Sequence, residues 1–359
     1  MAPNPVLGII LHAIGGFSSA SFYVPVHKIK QWAWETYWIS LGFVSWVIMP
    51  QIGSWTTWDW SKLSPTSNPW HVIAGADPKT IFWTYFFGCL WGFGGLTCGM
   101  SLRFLGLSLG QSLTLGFCAA FGTIIPPVFA GNAATLFTTK SGLVVMAGVM
   151  LCLFGIAVCG YAGALKEKLL TDEQKKASIK EFALTKGIIF ATVGGIMSAC
   201  MAFAFEAGKP IAEAAVAAGA PDVFKNNTVL ILGLGGGFTT NFFASIIMHA
   251  RNKTFGDFTR RPAAILASNY FWSILSGMMW YGQFFFYGMG TTKMGKYDFT
   301  SWSLHMAFVI IFSNFWGIAL NEWKAVGKLT WTVLMIGILI LIISTVLIGW
   351  GNHLAAVGT

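Results

Sequence analysis

Ionisable side chains are rare inside the apolar stretches of this chain and at their edges, and those found there could bind and release a proton. The candidates are His12, Glu35, Glu206 and His305. Imidazole has an ordinary pKa of about 6.5, and burial raises the pKa of a carboxylic acid from about 4.3, so both groups can exchange protons near neutral pH. The structural alternatives are a hydrogen bond to a backbone carbonyl for each histidine and an ion pair with Lys28 or Lys30 for Glu35.

The elements that must position these residues are membrane-spanning helices. The 359 residues are 55% hydrophobic and 10% charged, whereas about a quarter of the residues in a soluble domain are charged. The chain is rich in glycine (42) and tryptophan (17), which serve close helix packing and anchoring at the lipid headgroups. Its net charge of +9 comes from basic residues between apolar stretches, so it indicates membrane orientation and not nucleic-acid binding.

Metal and disulfide chemistry is not indicated by the cysteines. All six lie inside apolar stretches, without the paired spacing of a zinc site or of a disulfide framework. We therefore expect them to be packing residues, and we expect no bound metal.

Ten apolar stretches are each long enough to cross a bilayer, which takes about 20 residues. They cover residues 6–25, 36–55, 80–101, 107–128, 142–164, 185–205, 228–249, 263–289, 302–320 and 331–350. The sequence therefore predicts an all-α polytopic membrane protein with ten transmembrane helices. No Lys or Arg precedes the first stretch, so we expect it to be a retained helix and not a signal peptide.

Lys and Arg are concentrated in every second connection, starting with the one between the first and second stretches. The strongest basic segments contain Lys166, Lys168, Lys175, Lys176, Lys180 and Lys186, and then Arg251, Lys253, Arg260 and Arg261. The positive-inside rule places these connections in the cytoplasm. Both termini are therefore expected outside.

An internal repeat relates the two halves of the chain. A shift of 179 residues aligns residues 8–20 with 187–199, with seven identities in thirteen positions. Chance similarity among glycine-rich apolar helices is the alternative, but a shift of almost half the length argues against it. His12 aligns with Ala191, so the halves differ there; because a coupling site need not be duplicated, we rank His12 first among the proton candidates.

The repeat predicts the domain organisation. We expect a first five-helix repeat at residues 1–165, a basic cytoplasmic linker at 166–184 and a second five-helix repeat at 185–359, together forming one integral membrane domain. An odd number of spans inverts the second repeat relative to the first. Because inverted repeats underlie alternating access in secondary transporters, this organisation favours a carrier over a receptor or an enzyme.

Longer motifs resemble a known family. The first half contains Gly8-x3-His12-x-Ile14-Gly15, Phe22-Tyr23-x-Pro25, Lys28-x-Lys30-x-Trp32-x-Trp34-Glu35-Thr36 and Val44-Ser45-Trp46. The second half contains Gly277-Met278-Met279-Trp280-Tyr281-x-Gln283-Phe284-Phe285-Phe286-Tyr287, Tyr297-Asp298 and Ser301-Trp302-x-Leu304-His305-Met306. With these motifs the chain resembles the L-rhamnose/proton symporter family, a branch of the drug/metabolite transporter superfamily. The resemblance covers nearly all ten stretches.

The resemblance implies a ten-span protein of the bacterial inner membrane that takes up L-rhamnose or a related 6-deoxyhexose. It implies the proton as coupling ion and no other cofactor, with the sugar, the proton and the lipid bilayer as partners and no nucleic acid. One departure from the family pattern is Glu206, where we expect an uncharged residue.

A sugar of this kind needs amide or imidazole partners for its hydroxyls and aromatic rings for its apolar face. The candidate amides are Gln111, Asn269, Gln283 and Asn314, and the candidate aromatic residues are Trp38, Trp91, Phe93, Trp280, Phe284 and Tyr287. Asn269 and Gln283 would lie about 21 Å apart along a straight helix, so both contact one sugar only if that helix is broken. The alternative for the amides is bonding between helices, and for the aromatic residues packing against neighbours or lipid.

Two other functions fit parts of this pattern. A metabolite exporter or exchanger would use the same scaffold with a different cargo and direction. An integral-membrane enzyme is the second, but the sequence lacks clustered carboxylates, histidines or cysteines at metal or acid–base spacing. We therefore expect a transporter and not an enzyme.

Overall fold

The computed structural model describes residues 3–105, 107–129, 133–169, 184–321, 323–324 and 326–358. Within these ranges the chain is helical and contains no β-strand, apart from an isolated bridge between Ser64 and Ser67. The prediction of an all-helical fold is confirmed for these residues.

The helices of the first half begin close to the predicted limits. They are α1 (Pro5–Ser21), α2 (Tyr23–Val26), α3 (Trp34–Phe43), α4 (Met49–Thr56), α5 (Pro69–Gly75), α6 (Pro78–Leu105), α7 (Leu107–Phe129), α8 (Ala133–Thr138) and α9 (Lys140–Lys168). A π-helical segment, Val44–Ile48, joins α3 to α4.

The helices of the second half also coincide with the predicted apolar stretches. They are α10 (Leu184–Ala207), α11 (Lys209–Ala218), α12 (Asn226–Asn252), α13 (Ala263–Thr291), α14 (Ser301–Ala319) and α15 (Lys328–Val357). Short 3-10 helices lie at Asp222–Phe224, Phe255–Phe258 and Gly295–Thr300.

Seven segments of the described chain are long and apolar enough to cross a membrane. They are Pro5–Val26, Pro78–Cys98, Lys140–Lys166, Thr185–Ala207, Asp222–Asn252, Gly295–Ala319 and Lys328–Val357. The predicted stretches 36–55, 107–128 and 263–289 are also helical, but they do not meet the same criteria of length and hydropathy. The first is divided by the π segment, and the third carries two amides.

The chain divides into two compact units. Unit 1 contains Met1–Gly16, Phe93–Ala202 and Gly290–Thr359. Within it α9 packs along α15, where Gly155 lies against Leu341 and Gly337 lies against Cys159. Its buried core includes Leu136, Val145, Val149, Met294, Tyr297, Leu304 and Ile348.

Unit 2 contains Phe17–Gly92 and Phe203–Met289. Within it α6 packs against α12 through glycines, and a Cβ atom added at Gly92 would lie 2.7 Å from the carbonyl oxygen of Gly237. Small residues at these positions let the two backbones approach closely.

Candidate functional site

One face of α13 carries four of the predicted sugar-binding residues. Trp280, Phe284 and Tyr287 follow the spacing i, i+4 and i+7, and Gln283 falls beside them, so all four project from the same side of the helix. Each of the four side chains is buried. A buried stripe of three aromatic rings and one amide combines the apolar and polar groups that a sugar requires.

Trp46 lies at the centre of a larger group of rings in unit 2. Its ring centroid is 5.4 Å from Trp280, 6.1 Å from Trp91 and 5.6 Å from Trp38. Only 1% of the residue is exposed. Sequence reasoning did not select Trp46 as a site residue, although it stands in one of the motifs that carry the family resemblance.

Phe205 extends this group at its other end. Its ring lies 5.0 Å from Tyr287 and 6.2 Å from Phe284. We define the aromatic cluster as Trp38, Trp46, Trp91, Phe205, Trp280, Phe284 and Tyr287. Five of the six predicted aromatic residues belong to it. The sixth, Phe93, belongs to unit 1 and is 47% exposed.

The π segment determines how Trp46 enters the aromatic cluster. Pro50 has no backbone N–H, so the carbonyl of Trp46 lacks its ordinary donor four residues later, which favours a wider turn here. Gly42 lies under the Trp46 ring, and a Cβ atom there would come within 2.8 Å of the ring atom Cε3. Within the described residues, the buried Trp46 Nε1 has no hydrogen-bond acceptor.

The Gln283 side chain is oriented by α1. Ser19 Oγ donates a hydrogen bond of 2.9 Å to Gln283 Oε1. One turn earlier on α13, the Met279 carbonyl accepts a hydrogen bond from Ser18 Oγ. No acceptor contacts the Gln283 amide nitrogen in the described part of the chain, so its two N–H groups are oriented donors available to a hydroxyl.

The other predicted amides lie elsewhere. Asn269 binds the backbone of Lys30 with both ends of its side chain. Asn314 belongs to unit 1 and donates to the Ile310 carbonyl of its own helix. Gln111 lies on α7, but its side chain is outside the described residues.

Two of the predicted proton carriers, His12 and His305, come together in unit 1. Both histidines are fully buried, and they are close enough to interact electrostatically. The imidazole of His12 packs directly on Gly290, where a Cβ atom would lie within 2.7 to 3.0 Å of three ring atoms. The His305 ring lies 6.5 Å from Trp302.

Glu35 lies at the start of α3 in a network of hydrogen bonds, and among the described residues it does not form the alternative ion pair with Lys28 or Lys30. Its Oε1 atom accepts hydrogen bonds from Asn252 Nδ2 at 2.9 Å and from Thr254 Oγ1 at 2.7 Å. Burial would raise the pKa of Glu35, but these hydrogen bonds hold it below the ordinary value of 4.5.

Asp257, which sequence reasoning did not select, organises the same region. One oxygen accepts from the Ala33 N–H at 2.8 Å and from Thr36 Oγ1 at 3.1 Å, and the other binds Arg261 at 2.8 Å. Burial would raise the pKa of Asp257, but these donors and the Arg261 charge hold it below the ordinary value of 3.8. Asp257 lies in a connection, outside every apolar stretch, so the sequence did not indicate that it is a site residue.

Glu206 is the most accessible of the four proton candidates. Its carboxylate forms an ion pair of 2.7 Å with Lys209, one turn further along the chain, and 40% of its side chain is exposed. The geometry is that of a surface ion pair, which contributes little stability.

Comparison with known proteins decides the family. The model of the L-rhamnose-proton symport protein family matches residues 1–355. The chain belongs to this family. An L-rhamnose-proton symporter from Yersinia pestis (strain Pestoides F) is 36% identical over 351 residues, which cover 96% of this chain and 98% of the relative. Another from Pectobacterium atrosepticum is 36% identical over 353 residues, with coverage of 97% and 98%.

Membership of this symport family confirms the resemblance seen in the motifs. The family consists of transporters and not of enzymes. Together with the seven apolar helices, it identifies a multi-pass protein of the bacterial inner membrane.

Proposed function

We propose that this protein carries L-rhamnose, or a related 6-deoxyhexose, into the cell together with protons. The observation that carries the proposal is the match of residues 1–355 to the symport family, with relatives of that name covering nearly the whole chain. The proton is the coupling ion, and no other cofactor is needed.

The sugar site that we propose is the aromatic cluster with Gln283. The rings of Trp46, Trp280 and Phe284 offer apolar surface for the sugar ring and for the methyl group of a 6-deoxyhexose. The Gln283 amide nitrogen and Trp46 Nε1 are the donors for its hydroxyls. We leave Asn269 out of this site because the Lys30 backbone occupies its amide.

For proton coupling we propose the pair His12 and His305. Both imidazoles are buried and close enough to interact electrostatically, so a charge on one disfavours a charge on the other. Glu206 is not included, since Lys209 already neutralises it near the surface.

We propose ten spans arranged as two inverted repeats, residues 1–165 and 185–359, joined by the basic linker 166–184. Packing within unit 1 supports this, since Gly16 on α1 lies against Phe308 on α14, and Gly195 on α10 lies against Phe117 on α7. The first span of each half thus packs on the fourth span of the other half. A two-fold axis between inverted repeats produces this reciprocal packing.

Packing within unit 2 supports the same symmetry. Gly88 on α6 lies against Gly233 on α12, and Gly277 on α13 lies against Leu41 on α3. The third span of each half therefore packs on the second span of the other half. We infer alternating access between these halves and an architecture of the drug/metabolite transporter type, with the basic connections inside and both termini outside.

The function is tested by adding L-rhamnose to lightly buffered cells that express the protein. Symport draws protons in with the sugar, so the medium becomes alkaline as labelled sugar enters. Saturable uptake without a pH change would refute the coupling, and absence of uptake would refute the cargo. If preloaded vesicles instead release an amphipathic metabolite and ignore L-rhamnose, the exporter alternative is correct.

A further inference from the structure

A line of three polar side chains in unit 2 has the form of a proton pathway. It contains His249 at the end of α12, Thr254 in the following turn and Glu35 at the start of α3. We propose that these residues form a proton relay at the end of unit 2 that faces the cytoplasm, in which Glu35 receives the proton that His249 gives up. The inference rests on the proposed proton symport.

The turn after α12 brings the first two groups together. Lys253 adopts left-handed backbone angles (φ 56°, ψ 38°), which end the helix. The Thr254 N–H then bonds back to the His249 carbonyl at 3.2 Å. This places Thr254 Oγ1 2.7 Å from His249 Nδ1.

The polarity of the relay follows from the single proton of a hydroxyl. Thr254 Oγ1 donates its proton to Glu35 Oε1 at 2.7 Å. It must therefore accept the hydrogen bond from His249, which places a proton on Nδ1. In the neutral ring the other nitrogen, Nε2, then carries a lone pair.

His249 Nε2 is the entry point of the relay. The residue is 2% exposed, and its ring stacks on Phe255 at 4.9 Å and lies 5.2 Å from Phe258. Nε2 is buried and has no hydrogen-bond partner among the described residues. A buried acceptor of this kind can take a proton from a transient donor such as water.

The charges around His249 favour transfer towards Glu35. Glu35 and Asp257 are the charged groups that act on the imidazole. Arg261 neutralises Asp257 through their ion pair, whereas Glu35 receives its bonds from the neutral groups of Asn252 and Thr254. Arg251 and Lys253 on the same turn are exposed.

The proton balance of one passage is complete. A proton binds Nε2, the Nδ1 proton moves to Thr254 Oγ1, and the hydroxyl proton of Thr254 moves to the Glu35 carboxylate. Glu35 then releases its proton and the hydroxyl rotates back, while exchange with water takes the proton from Nε2 and returns one to Nδ1, which restores the starting tautomer. The hydrogen bonds that keep the pKa of Glu35 low favour this release.

The relay is tested with the full-length protein in proteoliposomes by comparing two modes of L-rhamnose transport. Accumulation driven by an imposed pH gradient requires proton release, whereas equilibrium exchange of labelled for unlabelled sugar does not. Thr254→Val removes the hydroxyl at nearly constant volume, and Thr254→Ser retains it as the matched control. His249→Asn keeps a donor for Thr254 but cannot carry a proton.

We expect Thr254→Val and His249→Asn to lose at least about tenfold in gradient-driven accumulation, with exchange within about twofold of wild type and Thr254→Ser close to wild type. Wild-type accumulation in either variant would overturn the relay. Equal loss of exchange and accumulation in both would overturn it in favour of a structural role. Failure of wild type to move protons with the sugar would instead refute the proposed function.

Discussion

Asn269 holds the backbone of Lys30 with two hydrogen bonds, donating to its carbonyl at 2.7 Å and accepting from its N–H at 3.0 Å. The side chain therefore fixes the connection between α2 and α3 to α13. This relationship gives Asn269 a role that differs from sugar binding.

Replacing Asn269 with Ala should destabilise the protein without changing sugar affinity. Two partly buried hydrogen bonds to the backbone of Lys30 would be lost, at a cost of about 0.5–1.5 kcal/mol each. We expect a lower unfolding temperature in detergent and an L-rhamnose Kd within about twofold of wild type, as measured by equilibrium binding. A loss of binding in a protein that unfolds at the wild-type temperature would return Asn269 to the sugar site.

Replacing Trp46 with Phe should weaken sugar binding, because it keeps an aromatic ring but removes the Nε1 donor. One hydrogen bond of about 1.4 kcal/mol corresponds to an approximately tenfold higher Kd for L-rhamnose. The matched control is Trp60→Phe, since Trp60 is in the same unit and is 69% exposed. Equal affinities for both variants would remove Nε1 from the proposed site.

Replacing Gln283 with Leu should also weaken sugar binding. Comparison with a Ser19 variant should show whether the Gln283 amide contacts the sugar or only supports α1. The variant removes the two N–H donors and leaves Ser19 without its acceptor, so we expect at least about a tenfold increase in KM for L-rhamnose. Ser19→Ala, which removes the orienting bond but keeps the amide, should have a smaller effect. If Ser19→Ala alone accounts for the whole loss, Gln283 supports α1 and does not bind sugar.

Replacing His12 with Gln should uncouple sugar transport from protons. Gln retains hydrogen bonding but cannot titrate, so accumulation driven by a pH gradient should fall at least about tenfold while exchange continues. His353→Gln is the control, because His353 is exposed on α15. Normal accumulation by His12→Gln would show that the proton is carried by other groups.

The stability of the turn between α12 and α13 should fall in acid. Because the pKa of Asp257 is lowered in the folded protein, its contribution is complete above the ordinary value of 3.8 and is lost as pH falls through the folded-state pKa. At pH 6 the unfolding temperature of Asp257→Asn should be lower than that of wild type. Between pH 6 and pH 3 it should decline less steeply. Asp77→Asn, at an exposed position, should follow wild type.

Residue type predicted part of the candidate site. Trp280, Phe284 and Tyr287 were candidates as aromatic residues of one apolar stretch, and the structure buries them together on one face of α13. Trp46 was missed because the sequence gives no signal for the π segment that carries it into the aromatic cluster. Phe205 lies at the end of the stretch 185–205, and no pattern in the sequence links it to the aromatic residues of α13.

Hydropathy predicted where helices form. Each of the ten stretches is helical in the structure, and seven segments of the described chain also satisfy the length and hydropathy of a membrane span. The polar network of Glu35, Asp257 and His249 could not be predicted from local sequence. It joins residues more than 200 positions apart along the chain, and no periodic pattern links them.

The left-handed residue at the end of α12 also constrains how the chain can vary. His249 and Thr254 face each other because the helix stops after Asn252 and the chain reverses at Lys253. One inserted residue in this turn would rotate the hydroxyl by roughly 100° around the helix axis and separate it from the imidazole. Arg251 is exposed and takes no part in these contacts, so the turn should tolerate a change of side chain there but no change of length.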